Sequence, residues 1–182
     1  MNISQFVKIK LIVIIIFTTV NTFAYADTNY GRFGAWSVSQ SLAINQMPIC
    51  QMMQNSSNED NVSIGFMVMS ALPNTVAVNL LRPIGGLGRL KKHSTFDVIS
   101  SSNQKDISKT TYTMMDDGFV ASGEASTREL RLMIEDVRSG AMWLWTIDAP
   151  AARVRSFHVP FVGFVPAMDA FAQCGVDIGI RF

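Results

Sequence analysis

The sequence contains few of the residues that enzymes use for chemistry. It has two histidines, His93 and His158, and two cysteines, Cys50 and Cys174. Neither histidine has another histidine or cysteine two to four residues away, so the ligand spacing of a zinc site is missing. The nucleophile elbow Gly-x-Ser-x-Gly is missing too. These absences predict a protein with no metal, no cofactor and no catalytic constellation.

Nucleotide and nucleic-acid binding also find little support. Gly86-Leu-Gly88 continues as Arg-Leu-Lys and lacks the third glycine of a dinucleotide loop. The chain has 15 basic and 14 acidic residues, which is not the basic footprint of a nucleic-acid-binding protein. The densest basic cluster is Arg89, Lys91 and Lys92. The preferred interpretation is that this cluster is a solvated turn. The alternative is that the cluster is part of an interaction surface.

The first 26 residues have the three parts of a cleavable export signal. Two lysines precede the apolar run 11–17, and Ala24 and Ala26 are small residues at the positions that a signal peptidase reads. The run is shorter than the roughly 20 residues of a membrane-spanning helix. The sequence therefore predicts cleavage before Asp27, no membrane span afterwards, and a location in the periplasm or outside the cell.

Residues 27–182 are long enough for a single domain with its own core. Without the two lysines of the signal, they carry 13 basic and 14 acidic residues. Cys50 and Cys174 lie near opposite ends of this domain, and an oxidising compartment makes one disulfide the default. Closing so long a loop would stabilise the fold by about 4 to 5 kcal/mol. The absence of Cys-x-x-Cys disfavours a redox role.

Short runs of β-branched, aromatic and methionine residues between turn residues predict a mainly β domain. Asp116-Asp117-Gly118 predicts a hairpin turn, because Asp-Gly readily adopts positive φ. We expect a β-sandwich or half-open barrel of nine or ten strands with two helices packed on it. The candidate strands are residues 33–40, 49–54, 62–71, 75–82, 94–100, 110–115, 141–147, 154–162 and 176–182.

The longer helix is predicted over 126–140. Ser126 can cap it together with Glu129, and Gly140 supplies the C-terminal stop. Its apolar residues recur at helical spacing and give it one face for packing on a sheet; they are Leu130, Met133, Ile134 and Val137. A short second helix is predicted from Pro166 to Cys174.

Two tryptophans alternate in strand 141–147. Trp143 and Trp145 fall on one face, while Met142 and Leu144 fall on the other, so this strand is expected to be buried on both sides. The pair favours core packing, with ligand stacking as the alternative. In the second case the two tryptophans would join the basic cluster in the candidate interaction surface.

Several motifs, in order, resemble those of the invasion-associated locus B family over residues 33–172. The resemblance implies a small, mainly β bacterial envelope protein, linked in some pathogens to host-cell invasion, and brings no catalytic residues. Members usually have cysteines where this chain has Gln40 and Phe119, so the family's disulfides would be lost or rewired here. The matching segments are Phe33-Gly-Ala-Trp-Ser-Val38, Cys50-Gln-Met-Met-Gln54, Arg82-Pro-Ile-Gly85, Gly118-Phe-Val-Ala121, the helix 126–140 and Val159-Pro-Phe-Val-Gly-Phe-Val-Pro-Ala167.

Three functions remain open at this point. The first is a non-enzymatic, exported binding or interaction module whose partner is an envelope or host protein. The second is a periplasmic hydrolase with a dispersed site, which would need His93 or His158 in a buried cleft beside Asp97 or Asp117. The third is a small outer-membrane β-barrel, suggested by the alternating apolar residues before Phe182. The short strands and the charged, capped helix argue against a barrel.

Overall fold

The computed structural model describes most of residues 28–180, and the predicted export signal with Ala24, Ala26 and Asp27 lies outside the described residues. The described ranges are 28–43, 46–55, 62–72, 75–82, 86–102, 105–116, 119–140, 142–152 and 155–180. The strands are β1 (Thr28–Phe33), β2 (Trp36–Leu42), β3 (Pro48–Gln54), β4 (Ser63–Met69), β5 (Thr75–Leu81), β6 (Thr95–Ser102), β7 (Lys105–Met114), β8 (Val120–Ser126), β9 (Trp143–Asp148) and β10 (Ser156–His158). The helices are α1 (Thr127–Arg138) and α2 (Phe164–Asp177).

All ten strands belong to one antiparallel sheet, so the predicted mainly β fold with two packed helices is confirmed. The order across the sheet is β1-β2-β3-β4-β5-β8-β7-β6-β9-β10. The sheet stays open, since β1 and β10 are its two edges. Strands β1 to β5 follow one another as a meander. The chain then crosses to β6 and returns through β7 to β8, which pairs with β5. Strand β9 pairs with the other side of β6.

The two helices lie at different parts of this sheet. Helix α2 packs against β1, β2 and β3, and we call this unit the clamped end. Helix α1 contacts β8 and α2, and together with β6, β7 and β9 we call it the cavity end. Both helices bury their apolar residues in one continuous core. No helix among the described residues has the length and apolar character needed to cross a bilayer.

Helix α1 begins where the sequence predicted. The Ser126 hydroxyl accepts a hydrogen bond from the Glu129 amide, and the Glu129 carboxylate accepts one from the Ser126 amide at 2.7 Å. This capping box satisfies two amides that a helix end otherwise leaves without partners. Leu130 and Met133 are buried below the helix, as the helical spacing required.

Helix α2 is held to the clamped end by a disulfide between Cys50 of β3 and Cys174, as the sequence predicted. Their Cα atoms are 5.9 Å apart, and the two residues are 124 positions apart in the sequence. Both cysteines are fully buried, so the bond lies inside the core. It closes a loop that includes most of the sheet.

The β1–β2 hairpin meets the start of α2 very closely. The Ala35 amide donates to the Val162 carbonyl at 3.1 Å. Gly163, at φ 80°, lies against the backbone of Phe33, and a Cβ atom there would overlap the Phe33 carbonyl oxygen. Glycine is therefore required at this position both for its backbone angle and for space. Two segments that carry the family resemblance, 33–38 and 159–167, are thus in direct contact.

The predicted C-terminal strand 176–182 was wrong over the described residues 176–180, and residues 181 and 182 lie outside them. Helix α2 continues to Asp177, and the amides of Gly179 and Ile180 bond to the carbonyls of Val176 and Gly175. With Gly179 at φ 85°, this is a Schellman motif, a helix stop rather than a strand. Ile180 is buried because the motif turns it back into the core, which explains why the apolar alternation resembled a strand.

Other element predictions need smaller corrections. Strands β1 and β8 were missed, and the predicted strand 33–40 is interrupted by a turn at Gly34 and Ala35 before β2 starts. The predicted strand 154–162, whose first residue lies outside the described residues, shortens to β10. Strand β9 is buried on one side only, because Met142 just before it is 59% exposed and Leu144 is only partly buried.

Candidate functional site

A cavity lies between helix α1 and the sheet at the cavity end. The space that the centre of a water-sized group can occupy is about 30 Å³, and all the empty space between the walls, which includes open solvent, is about 380 Å³. The first volume has room for about two water-sized groups, since one water needs roughly 10–15 Å³. The cavity is lined by Phe66, Val78, Val98, Ser100, Ser108, Thr110, Tyr112, Ala125, Glu129, Leu130, Met133, Trp143 and Trp145.

The two tryptophans of β9 are among the lining residues, and each carries a buried polar hydrogen. Trp143 is 2% exposed and Trp145 is 5% exposed. Neither indole Nε1 has a hydrogen-bond partner among the described residues. A buried donor without an acceptor costs roughly 1 to 3 kcal/mol, so two of them beside one cavity need an explanation.

Trp36 at the clamped end provides the internal reference. It is also fully buried, yet its Nε1 donates to the Pro160 carbonyl at 3.1 Å. Its ring packs against Phe66 and Phe164, with centroid distances of 5.9 and 5.4 Å. The fold can therefore satisfy a buried indole with its own backbone, and at the cavity end it does not.

The neighbouring strands contribute small polar side chains. Ser100 of β6 is buried, and its hydroxyl forms a hydrogen bond with the Ser108 hydroxyl of β7. Thr110, two residues further along β7, also lines the cavity. Small residues at these inward positions leave the space that larger apolar side chains fill elsewhere in the core.

Two ionisable groups line the cavity on the side of α1. Burial raises the pKa of the Tyr112 hydroxyl far above its usual range, and the nearby negative charge of Glu129 adds to that effect. Tyr112 is therefore a neutral phenol at any physiological pH. The Glu129 carboxylate is already engaged by the amide and hydroxyl of Ser126, at 2.7 and 3.1 Å. None of the described lining residues is a lysine, arginine or histidine.

The structure places the five residues of the candidate interaction surface in two different environments. Arg89, Lys91 and Lys92 are exposed on the segment that leads into β6, so the basic cluster is accessible to a partner. Trp143 and Trp145 are both buried and do not lie on the surface with it. Core packing, the role that the sequence favours for them, and an inward-facing ligand contact are both compatible with this position.

The residues proposed for a hydrolase are not assembled into a buried cleft. His93 and His158 are both exposed. Asp97 forms an ion pair with Lys109 at 2.9 Å and accepts a hydrogen bond from Thr111 at 2.7 Å; these contacts hold its pKa below the usual range. Asp117 lies outside the described residues. Within the described ranges, no group of three or more His, Cys, Asp or Glu side chains is arranged to hold a metal ion.

Sequence reasoning named the two tryptophans but missed the rest of the cavity. A signal for it exists in β6, where the inward positions run Phe96, Val98, Ser100 and Ser102 and all four are buried. Serines that continue an apolar inward row indicate either a hydrogen-bonded core or an internal space. In comparisons with known proteins, the chain matches no family model, no curated protein and no solved structure.

Proposed function

We propose that the protein is an exported, non-enzymatic binding module of the bacterial cell envelope, which holds a small ligand between helix α1 and the sheet. The observation that carries the binding role is the cavity beside two buried indole donors without partners. A ligand that supplied acceptors would remove the cost of leaving both donors unpaired. Ligand sites in proteins are most often preformed, largely apolar cavities with a few polar groups, and this cavity has that composition.

Export is supported by different features. The N-terminal segment has the sequence of a cleavable signal, and Cys50 and Cys174 form a disulfide, which persists in oxidising compartments. The family resemblance adds an envelope role and a link to host cells.

Binding is tested with a cavity-filling variant and a matched control. Val98→Ile adds one methylene at the cavity wall, whereas Val38→Ile adds it to the close-packed core of β2. If the cavity holds a ligand, protein purified from the envelope fraction carries a small molecule that native mass spectrometry detects, and Val98→Ile lowers its occupancy while Val38→Ile does not. A wild-type protein that carries no molecule, and binds none of the probes described below, contradicts the binding role.

Export is tested on the full chain expressed in a Gram-negative host. We expect mass spectrometry of the periplasmic or medium fraction to give a chain that starts at Asp27, with both cysteines protected from alkylation before reduction. Retention of Met1, or two free thiols in that fraction, would contradict the exported assignment. This outcome is independent of the cavity.

A further inference from the structure

We infer that the cavity binds the uncharged oxygen group of an otherwise apolar molecule, such as the carbonyl of a ketone or ester, with Trp143 and Trp145 as donors. This inference rests on the proposed binding function and specifies the chemistry of its ligand. It follows from three properties of the cavity: its donors, its size and its charge.

The donors set the type of atom that is bound. An indole N–H can only donate, so a group that satisfies it must accept. Trp143 and Trp145 stand two residues apart on β9 with side chains on the same face, and both line the cavity. A carbonyl oxygen has two lone pairs and no hydrogen to donate, so it can accept from either indole. A hydrocarbon in the same place would leave both donors unpaired.

The size and the walls set the rest of the ligand. The space open to water-sized groups is about 30 Å³, which is enough for a small group and too little for a whole ring or chain. The cavity is open to solvent on one side, so the remainder of such a molecule extends outwards. The lining is largely apolar and includes Val78, Leu130 and Met133, so the part of the ligand that contacts it is expected to be hydrocarbon.

The charge excludes ions of either sign. No described residue of the lining carries a positive charge, and the Glu129 carboxylate would repel an anion. A cation would need that carboxylate as its counter-charge, but Glu129 is committed to the cap of α1 through Ser126. Burying an ion without a partner is costly. A neutral acceptor avoids both penalties.

The test compares four probes that share a similar alkyl chain: 2-heptanone, its alkene isostere 2-methyl-1-heptene, heptanoate and heptylammonium. Binding is followed by the three indole N–H signals in ¹H–¹⁵N NMR spectra of the disulfide-bonded protein. We expect 2-heptanone to move the Trp143 and Trp145 signals in the direction of stronger hydrogen bonding and to leave Trp36 in place. It should bind roughly tenfold more tightly than the other three probes.

Variants separate the donors from the packing. Trp143→Phe and Trp145→Phe keep an aromatic ring and remove one donor each, and should weaken 2-heptanone binding about three- to tenfold without changing the binding of the alkene. Trp36→Phe is the matched control and should leave the affinity for 2-heptanone unchanged. The spectra of the unmodified protein provide a readout that does not depend on how well any variant folds.

Each contrary outcome has its own meaning. Equal or tighter binding of the alkene, heptanoate or heptylammonium, with movement of the Trp143 and Trp145 signals, would overturn the inferred chemistry and leave the binding function standing. If no probe moves these two signals and both indole hydrogens show contacts to long-lived water, the cavity holds water only. That result overturns the inference and also removes the support for the proposed function.

Discussion

The clamped end and the cavity end use the same plan, a helix on an antiparallel sheet with buried tryptophan beneath it, and they complete it differently. At the clamped end the Trp36 indole is hydrogen-bonded, its ring packs on Phe66 and Phe164, and a disulfide fixes the helix to β3. At the cavity end, Trp143 and Trp145 lack partners and a space remains below the helix.

The difference shows where this fold places stability and where it leaves room for another molecule. A fully paired, close-packed and cross-linked region gains nothing from a ligand. A region with unpaired donors and free volume gains the most, because a ligand supplies both contacts and hydrogen bonds.

Removal of the disulfide should have the largest effect. We expect the Cys50→Ala/Cys174→Ala double variant to lose about 4 to 5 kcal/mol of unfolding free energy, because the cross-link restricts the unfolded chain over 124 residues. Urea unfolding of the oxidised protein and the variant measures the difference. The reduced wild-type protein serves as a control for cavity effects of the alanines. A loss below 1 kcal/mol in both would show that the clamp contributes little.

Glycines that end or begin the two helices give a matched pair of positions. Gly163 before α2 and Gly140 after α1 have φ of 80° and 83°, but only Gly163 has backbone atoms where a Cβ would lie. We expect Gly140→Ala to cost about 1 to 2 kcal/mol for the left-handed conformation alone, and Gly163→Ala to cost at least about 2 kcal/mol more. Thermal unfolding of both variants measures this. Equal costs would mean that the hairpin at Phe33 moves aside easily.

The tryptophans test the hydrogen-bonding contrast directly. Trp36→Phe leaves the Pro160 carbonyl without its donor, whereas Trp143→Phe removes a donor that has no acceptor. Both side chains are almost completely buried, so the loss of apolar area is similar. We expect Trp36→Phe to be more destabilising by about 1 to 2 kcal/mol, measured by urea unfolding without ligand. The reverse order would show that Trp143 is already satisfied in solution.

The smallest effect concerns the hydrogen bond from the Tyr30 hydroxyl to the Asp177 carboxylate, which joins β1 to the end of α2. This bond raises the pKa of Tyr30 to about 12 and lowers the pKa of Asp177 below 3.8. The contribution of Tyr30 is therefore complete below pH 10 and is lost as the pH rises towards 12. The contribution of Asp177 is complete above pH 3.8 and is lost as the pH falls through its lowered pKa.

We therefore expect the stability difference between wild type and Tyr30→Phe to be constant from pH 5 to 9 and to shrink at both extremes. Chemical denaturation across this range measures it. In an Asp177→Asn background, the same comparison should lose its dependence on pH at the acid end. A difference that keeps its size at pH 11 would argue that the Tyr30 hydroxyl is not bonded to the carboxylate.

The structure could be predicted from the sequence wherever a short segment determines its own conformation. Helix α1 was predictable because Ser126, Glu129 and the apolar face all belong to one continuous segment. The disulfide was predictable because a chain with two cysteines has a single intramolecular pairing available. In both cases the deciding contacts are either local or unique.

Prediction failed where distant residues decide. The apolar alternation around Ile178 is compatible with a strand, and only the contact of Ile180 with the core makes it a helix stop at Gly179. Strand β1 has little of the apolar pattern of a strand, because Asn29, Tyr30 and Gly31 stand in its middle. It is a strand because it pairs with β2 and packs against α2. The unpaired indoles could not be foreseen, since a missing partner is a property of the assembled core.

The position of α2 has a consequence for the order of folding. Strands β1 to β3 come first along the chain, but the helix that covers them is made from residues 164–177. The contacts of the clamped end therefore join residues more than 100 positions apart, as the 124-residue span of Cys50 and Cys174 illustrates. Such long separations slow folding, because chain closure precedes any stabilising contact. The first three strands must stay incompletely packed until residues 164–177 arrive, which leaves the chain extended for longer than a fold built from neighbouring elements would.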